Sequence, residues 1–242
     1  PEISEAISAT QNSDTVLVSP GLWPGKPGQG GLGVSGKNIT IASLFLTTQD
    51  SSYIAGTIIK RNGDLPTITF GADVDSTTVL CGLTIQNESS WDWGAVRCVS
   101  FASPTLRNLV INTIGAVAVG LHCSEAGHVR VFDSQFEKCT YGGAFLCEKS
   151  KLTLENTTIT DCWGSNGFLS AVESELNLKN VIISKNNSYV SGIYLKRCPV
   201  IRFEKVTITH CDLTPPAKGI IGAESCPVVV LDRVTMINNS IS

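Results

Sequence analysis

Residues that tolerate a left-handed backbone recur at near-constant intervals along this chain. Gly82, Asn108, Asp133, Asn156 and Asn180 are separated by 26, 25, 23 and 24 residues. Each stands two residues after an apolar one, as in Leu80-Cys81-Gly82, Leu106-Arg107-Asn108 and Leu154-Glu155-Asn156. Gly, Asn and Asp adopt positive φ at least cost, so a column of them marks a bend demanded at the same place in every repeat. Two later copies, Phe203-Glu204-Lys205-Val206 and Leu231-Asp232-Arg233-Val234, keep the apolar frame without the turn residue. A period of about 20 to 50 residues belongs to solenoids, propellers and arrays.

The content of each repeat narrows the choice. Past the bend comes an apolar column, Ile85, Ile111, Phe136, Ile159, Ile183, Ile208 and Met236. Cys139, Cys162, Asn186, Cys211 and Asn239 follow three residues later. After a polar loop, apolar residues spaced by two return: Val96/Cys98, Leu121/Cys123, Phe145/Cys147, Leu169/Ala171, Ile193/Leu195 and Ile221/Ala223. Spacing of two places side chains on one face of a strand. Three short strands per repeat, with loops too short and polar for a helix, predict the coil of a parallel β-helix. One coil alone has too little apolar surface to offset its chain entropy. Stacked coils pair at about 4.8 Å and fill the interior with like side chains.

The ends differ from the middle. Pro1 to Thr10 sets Ile3, Ala6 and Ile7 on one helical face with Glu2 and Glu5 near its start, which predicts a short cap helix within residues 1–14. Residues 15–78 read as irregular first coils, with a Gly-rich loop from Lys26 to Gly36 and strands at Thr15 to Val18, near Asn38 to Ser43, and from Thr67 to Phe70. Residues 79–242 read as regular coils, and the end after Asn239 looks uncapped, as in a segment of a longer chain or one packed end to end. The whole, 1–242, is expected to be one domain. Only 16% of residues are charged and the net charge is −3, which gives no reason to expect nucleic acid as a partner. No run of about 18 apolar residues offers a membrane span.

Three segments carry a resemblance. Asp14-Thr-Val-Leu-Val-Ser-Pro-Gly21, Gly36-Lys-Asn-Ile-Thr-Ile-Ala-Ser-Leu-Phe-Leu-Thr-Thr-Gln-Asp50 and Asp75-Ser-Thr-Thr-Val-Leu-Cys-Gly-Leu-Thr-Ile-Gln-Asn87 resemble the entry region of the pectate-lyase-like superfamily. They are most similar to right-handed parallel β-helix repeat proteins of secreted bacterial surface and cargo proteins. The resemblance implies an all-β, right-handed parallel β-helix with a short N-terminal capping helix, and a secreted or cell-surface location. It specifies no activity, because the superfamily holds lyases, hydrolases, epimerases, adhesins and structural modules.

Two constellations bear on function. Lys138, Asp161, Lys185 and His210 share one outward column, two residues past the inward Ile or Phe. A lyase could use such a Lys as base and the carboxylate to hold Ca²⁺. One carboxylate is too few for that ion, and an alternating-charge surface ladder is the favoured reading. No cofactor or metal is expected otherwise: the nine cysteines contain no C-x-x-C pair, those of the two interior columns read as packed thiols with disulfides as the alternative, and Cys81, Cys198 and Cys226 near the bends are left open. The second constellation is aromatic. Trp91, Trp93, Tyr141, Trp163 and Tyr189, with Asp92, lie in the loop after the bend strand, either folded back to seal the loops over the core or forming a broken stripe of rings suited to sugar faces. The favoured function is therefore a non-catalytic extracellular binding or structural module engaging polysaccharide along that loop edge. A polysaccharide lyase or hydrolase acting on an acidic glycan is the alternative. His122 and His128 read as solvated surface residues.

Overall fold

The computed structural model describes residues 2–25, 31–61, 65–88, 94–113, 119–217 and 219–241. Its architecture is a stack of three-strand coils in which every paired strand runs parallel to its neighbours. The first face of the stack takes Thr15–Val18, Thr40–Ser43, Val79–Cys81, Thr105–Arg107, His128–Phe132 and Lys151–Glu155, then the first halves of Glu175–Ser184 and Ile201–Thr209. The second face takes the strands just after the bend, such as Val110–Thr113, Gln135–Glu137 and Thr158–Thr160. The third runs from Leu32–Val34 through Phe145–Glu148 to Ile221–Glu224. Within residues 15–78 the strands already hold this register: Thr40 pairs Val79, Ile58 pairs Thr84, and Ile68 pairs Val96. The predicted Gly-rich loop contains one of them, Leu32–Val34.

The predicted bend column takes the left-handed conformation at every copy, with φ between 48° and 69° from Gly82 to Asn180. Lys205 and Arg233 adopt it as well, at 53° and 54°. The reason lies outside the residue itself. Each bend amide donates to the next coil, Asn108 to Phe132 O at 3.1 Å, Asp133 to Glu155 O at 3.1 Å and Asn156 to Lys179 O at 3.0 Å. The ladder thus continues through the corner and imposes its geometry even where Lys or Arg must bear a strain of about 1–2 kcal/mol. Side chains reinforce it: Asn156 Nδ2 donates to Asp133 Oδ1 at 2.9 Å, and Asn180 Nδ2 to Asn156 Oδ1 at 3.1 Å. Gly82 has a second reason to be glycine, since a Cβ there would stand 2.7 Å from Phe45 Cβ.

Two further left-handed columns mark the other corners. One holds Lys138, Asp161, Lys185, His210 and Asn238, and the other Ser100, Glu125, Lys149, Glu173, Arg197 and Ser225. Ion pairs tie the latter across coils, Lys149 to Glu125 at 3.6 Å and Arg197 Nε to Glu173 Oε1 at 2.8 Å.

The interior is the set of columns read from the sequence. Leu80, Leu106, Val131, Leu154 and Leu178 are fully buried, as are Ile85, Ile111, Phe136, Ile159, Ile183 and Ile208. Cys98, Cys123 and Cys147 stack in register as free thiols. In the neighbouring column Asn186 brackets the thiols: its Oδ1 accepts from Cys162 N at 2.8 Å and its Nδ2 donates to Ile159 O at 2.9 Å. Burial pushes the Cys162 thiol up, keeping it protonated and inert.

The first coil is covered by the helix Ile3–Ala9, which buries Ile3 and Ile7 and closes with the Glu2/Glu5 capping box. Lys37 Nζ anchors its far end, donating to Ile7 O at 2.8 Å and Thr10 O at 3.0 Å. Two short helices, Phe45–Thr48 and Ser52–Gly56, form an insertion not foreseen from the sequence. In the last coil Val229, Leu231, Met236 and Ile237 are exposed.

The bend account predicts a graded response at Asn156. Asn156→Gly keeps the left-handed backbone and loses only the exposed amide ladder, a cost of about 1 kcal/mol. Asn156→Ala adds backbone strain, for a total of about 2–3 kcal/mol. Urea denaturation followed by circular dichroism measures both, and equal losses for Gly and Ala would contradict the account.

Candidate functional site

The aromatic loop lies between the second and third faces, where the short strands Trp163–Gly164, Asn187–Ser188, Asp212–Leu213 and Ser240–Ile241 form a small parallel sheet of their own. Its rungs are backbone bonds between successive coils: Trp163 N donates to Cys139 O at 2.8 Å, Ser165 N to Tyr141 O at 2.8 Å, and Asn187 N to Cys162 O at 2.9 Å. Glycine lets the loops stack this closely. A Cβ on Gly143 would lie 2.5 Å from Gly167 O, and Gly143 itself has φ +77°.

On this scaffold three predicted rings come together. Tyr141 and Trp163 stand with centroids 4.2 Å apart at 87°, and Trp163 and Tyr189 with centroids 5.3 Å apart at 82°. The arrangement is a herringbone instead of the flat stripe expected, because edge-to-face contact satisfies the ring quadrupoles better than parallel overlap. Tyr141 and Tyr189 remain 46% and 43% exposed, so the rings do not fold down to seal the core. Tyr141 also holds φ 65°, a conformation unusual for a bulky side chain. Exposed Ser165, Asn166 and Asn187 supply hydrogen-bonding groups on the same loops. Trp91, Asp92 and Trp93 lie outside the described residues.

Lys138, Asp161, Lys185 and His210 do form one column, and all four are exposed. They occupy a corner of the coil, their amides carrying the ladder onward, as Lys138 N does to Thr160 O at 3.2 Å. No ion pair links them, so the alternating-charge ladder does not close. Their side chains turn to near neighbours: Asp161 Oδ2 accepts from Thr160 Oγ1 at 3.2 Å, and the His210 ring meets Thr209 Oγ1 at 2.8 Å and Asn238 Nδ2 at 3.3 Å. Among the described residues no group of three or more His, Cys, Asp or Glu could hold a metal ion.

Two histidines behave differently from expectation. His122 does point outward on the third face, yet it is only 8% exposed, with Glu148 Oε2 3.6 Å from its Nε2. Gly94 packs against it so tightly that a Cβ there would stand 3.1 Å from His122 Cβ. His128, half-buried on the first face, sets Nε2 2.9 Å from Thr153 Oγ1. Burial, followed by the charges of Arg130 and Lys151, lowers its pKa to about 4.

A cavity of about 360 Å³ opens beside the cap helix, between Ile3, Trp23, Leu32 and Ile59. It is remote in sequence from the aromatic loops.

The family described as right handed beta helix region matches residues 75–241. No curated protein matches the chain. Among solved structures, a pectin methylesterase from Aspergillus niger in a penultimately deglycosylated form is similar at 12% identity, with a TM-score of 0.52 over 100% of this chain and 82% of that one. A pectin methylesterase in complex with a hexasaccharide is similar at 11% identity, with a TM-score of 0.49 over 90% of this chain and 76% of that one. At 12% identity the likeness to the Aspergillus niger enzyme shows the fold alone.

The depressed pKa of His128 has a consequence for stability. In the unfolded chain this ring protonates near 6.5, whereas in the folded protein it does so only near 4. Between those values the unfolded state binds the extra proton, so His128 erodes stability as pH falls from about 6.5 to 4 and not above. Denaturation midpoints measured across that window should fall less steeply for His128→Gln than for the parent, and superimposable pH profiles would refute the assignment.

Proposed function

Because the chain belongs to the right-handed β-helix family, whose coils present side chains at fixed intervals along one axis, we propose that it is a carbohydrate-binding module acting at Tyr141, Trp163 and Tyr189. The observation that carries this reading is the ring ladder itself, three aromatic side chains on successive coils, with Tyr141 and Tyr189 nearly half in solvent and Trp163 partly buried between them, on glycine-tightened loops. Exposed aromatic surface of this kind seldom persists without a partner. The rings offer apolar faces, and the Ser and Asn side chains around them offer donors and acceptors, which together match the two kinds of surface on a sugar. Tyr141 held in the left-handed region supports the same reading, since strain tends to collect at functional positions.

Binding without turnover fits the rest of the surface. Lys138, Asp161, Lys185 and His210 sit at an exposed corner and do not converge on one point. With a glycan as partner, the protein works outside the cell, secreted or at its surface. Among the described residues no helix is long and apolar enough to cross a membrane.

The test is a glycan array followed by titration of the best-bound oligosaccharide. Trp163→Ala should weaken binding at least tenfold, and Tyr189→Ala severalfold, with the far-ultraviolet spectrum unchanged. Release of reducing ends or unsaturated products by the parent protein would replace binding with catalysis. Undiminished binding by Trp163→Ala would remove the ladder from the site.

A further inference from the structure

The outer surface of the first face carries a strip of charge that the aromatic site does not use. In-register pairing stacks Arg130, Thr153, Asn177 and Arg202 in one outward column on four successive coils. At the spacing of adjacent strands the two arginines stand roughly 14 Å apart along the solenoid axis. The columns on either side neutralise themselves: Lys151 pairs with Glu175 at 3.1 Å on one flank, and Lys179 with Glu155 at 3.1 Å on the other. The middle column does not. Among the described residues neither Arg130 nor Arg202 makes an ion pair, and Arg130 only donates to His128 O at 3.1 Å.

Two more features of this strip bear on how it meets charge. Beside Arg202 lies a hollow of about 60 Å³, rimmed by Lys151, Glu175 and Asn177. By this measure one water needs about 10–15 Å³, so the hollow has room for a carboxylate or sulfate group. Next to Arg130, burial first and then the charges of Arg130 and Lys151 lower the His128 pKa, and Glu175 opposes them. Guanidinium forks bind planar and tetrahedral oxyanions through paired hydrogen bonds, which a lone ammonium cannot do.

We propose that this strip is a second glycan contact, which captures the anionic substituents of a linear polysaccharide. One oxyanion enters the hollow at Arg202, a second meets Arg130 three coils away, and Thr153 and Asn177 contact the chain between them. The class of polymer rests on the carbohydrate reading above. The strip and the ring ladder are separate surfaces, so each can fail alone.

Affinity electrophoresis against three polymers of one backbone decides the matter: neutral hydroxyethylcellulose, carboxymethylcellulose and cellulose sulfate. The parent should bind the two anionic polymers at least tenfold more tightly than the neutral one, with an advantage that shrinks as salt rises. Comparing the two tells whether carboxylate or sulfate is preferred. The double variant Arg130→Gln/Arg202→Gln should erase that advantage and leave binding to hydroxyethylcellulose unchanged, and Arg202→Glu should reverse it. Both positions are on the surface, and an unchanged circular dichroism spectrum verifies folding. Equal binding of all three polymers by the parent, or full retention of the advantage by the double variant, overturns the strip. Equally tight binding of a DNA oligonucleotide also overturns it, since the strip would then read charge alone. If Trp163→Ala loses binding to the neutral polymer while the arginine variants lose nothing, the ladder stands and the strip falls; the opposite pattern keeps the strip and removes the ladder.

Discussion

Backbone hydrogen bonding from coil to coil, carried around the corners among the described residues, is the constraint on which this protein depends. Most folds let their turns slip free of the sheet. Here the amides of Lys138, Asp161, Lys185 and His210 at one corner, and of Glu125, Lys149, Glu173 and Arg197 at another, all donate to the coil that follows. A corner held from both sides has one available geometry, and the residue there must accept it. This is why positively charged and acidic side chains adopt a left-handed backbone that they would avoid in isolation. The same continuity lines up the interior, so that Leu106, Val131, Leu154 and Leu178 meet as a column and bury one another completely.

That constraint explains both what the sequence revealed and what it concealed. The first corner was legible because Gly82, Asn108, Asp133, Asn156 and Asn180 satisfy the local preference as well as the stack. The other corners were not, since Lys, Glu and Arg carry no turn signal, and the column with Lys138 read instead as an outward ladder of alternating charge. The inner columns followed from spacing alone, as apolar residues two apart on three strands leave few alternatives. His122 shows the limit of that reasoning: alternation placed it outward correctly, but gave no sign that neighbouring coils bury it to 8% exposure. The helices Phe45–Thr48 and Ser52–Gly56 fall in an insertion, where no repeat exists to guide the eye.

The candidate site was legible in part for the same reason. A loop leaving the stack at one place in each coil must bring its side chains together, so Tyr141, Trp163 and Tyr189 could be grouped from their positions. Their perpendicular contacts could not, because ring orientation is settled by packing after the backbone is in place. The charged strip is a further product of repetition: register, and no local motif, sets Arg130 and Arg202 on one line. Side chains in such a protein line up along the axis, one residue per coil, on surfaces that the corners keep apart.

The most direct test is detection of hydrogen bonds between coils by through-bond scalar coupling in a deuterated, isotopically labelled sample. The amides of Asn108, Asp133 and Asn156 should couple to the carbonyls of Phe132, Glu155 and Lys179, each one repeat further along the chain. Coupling of those amides to carbonyls within their own repeat, or to none, would contradict the stacked solenoid and everything built upon it.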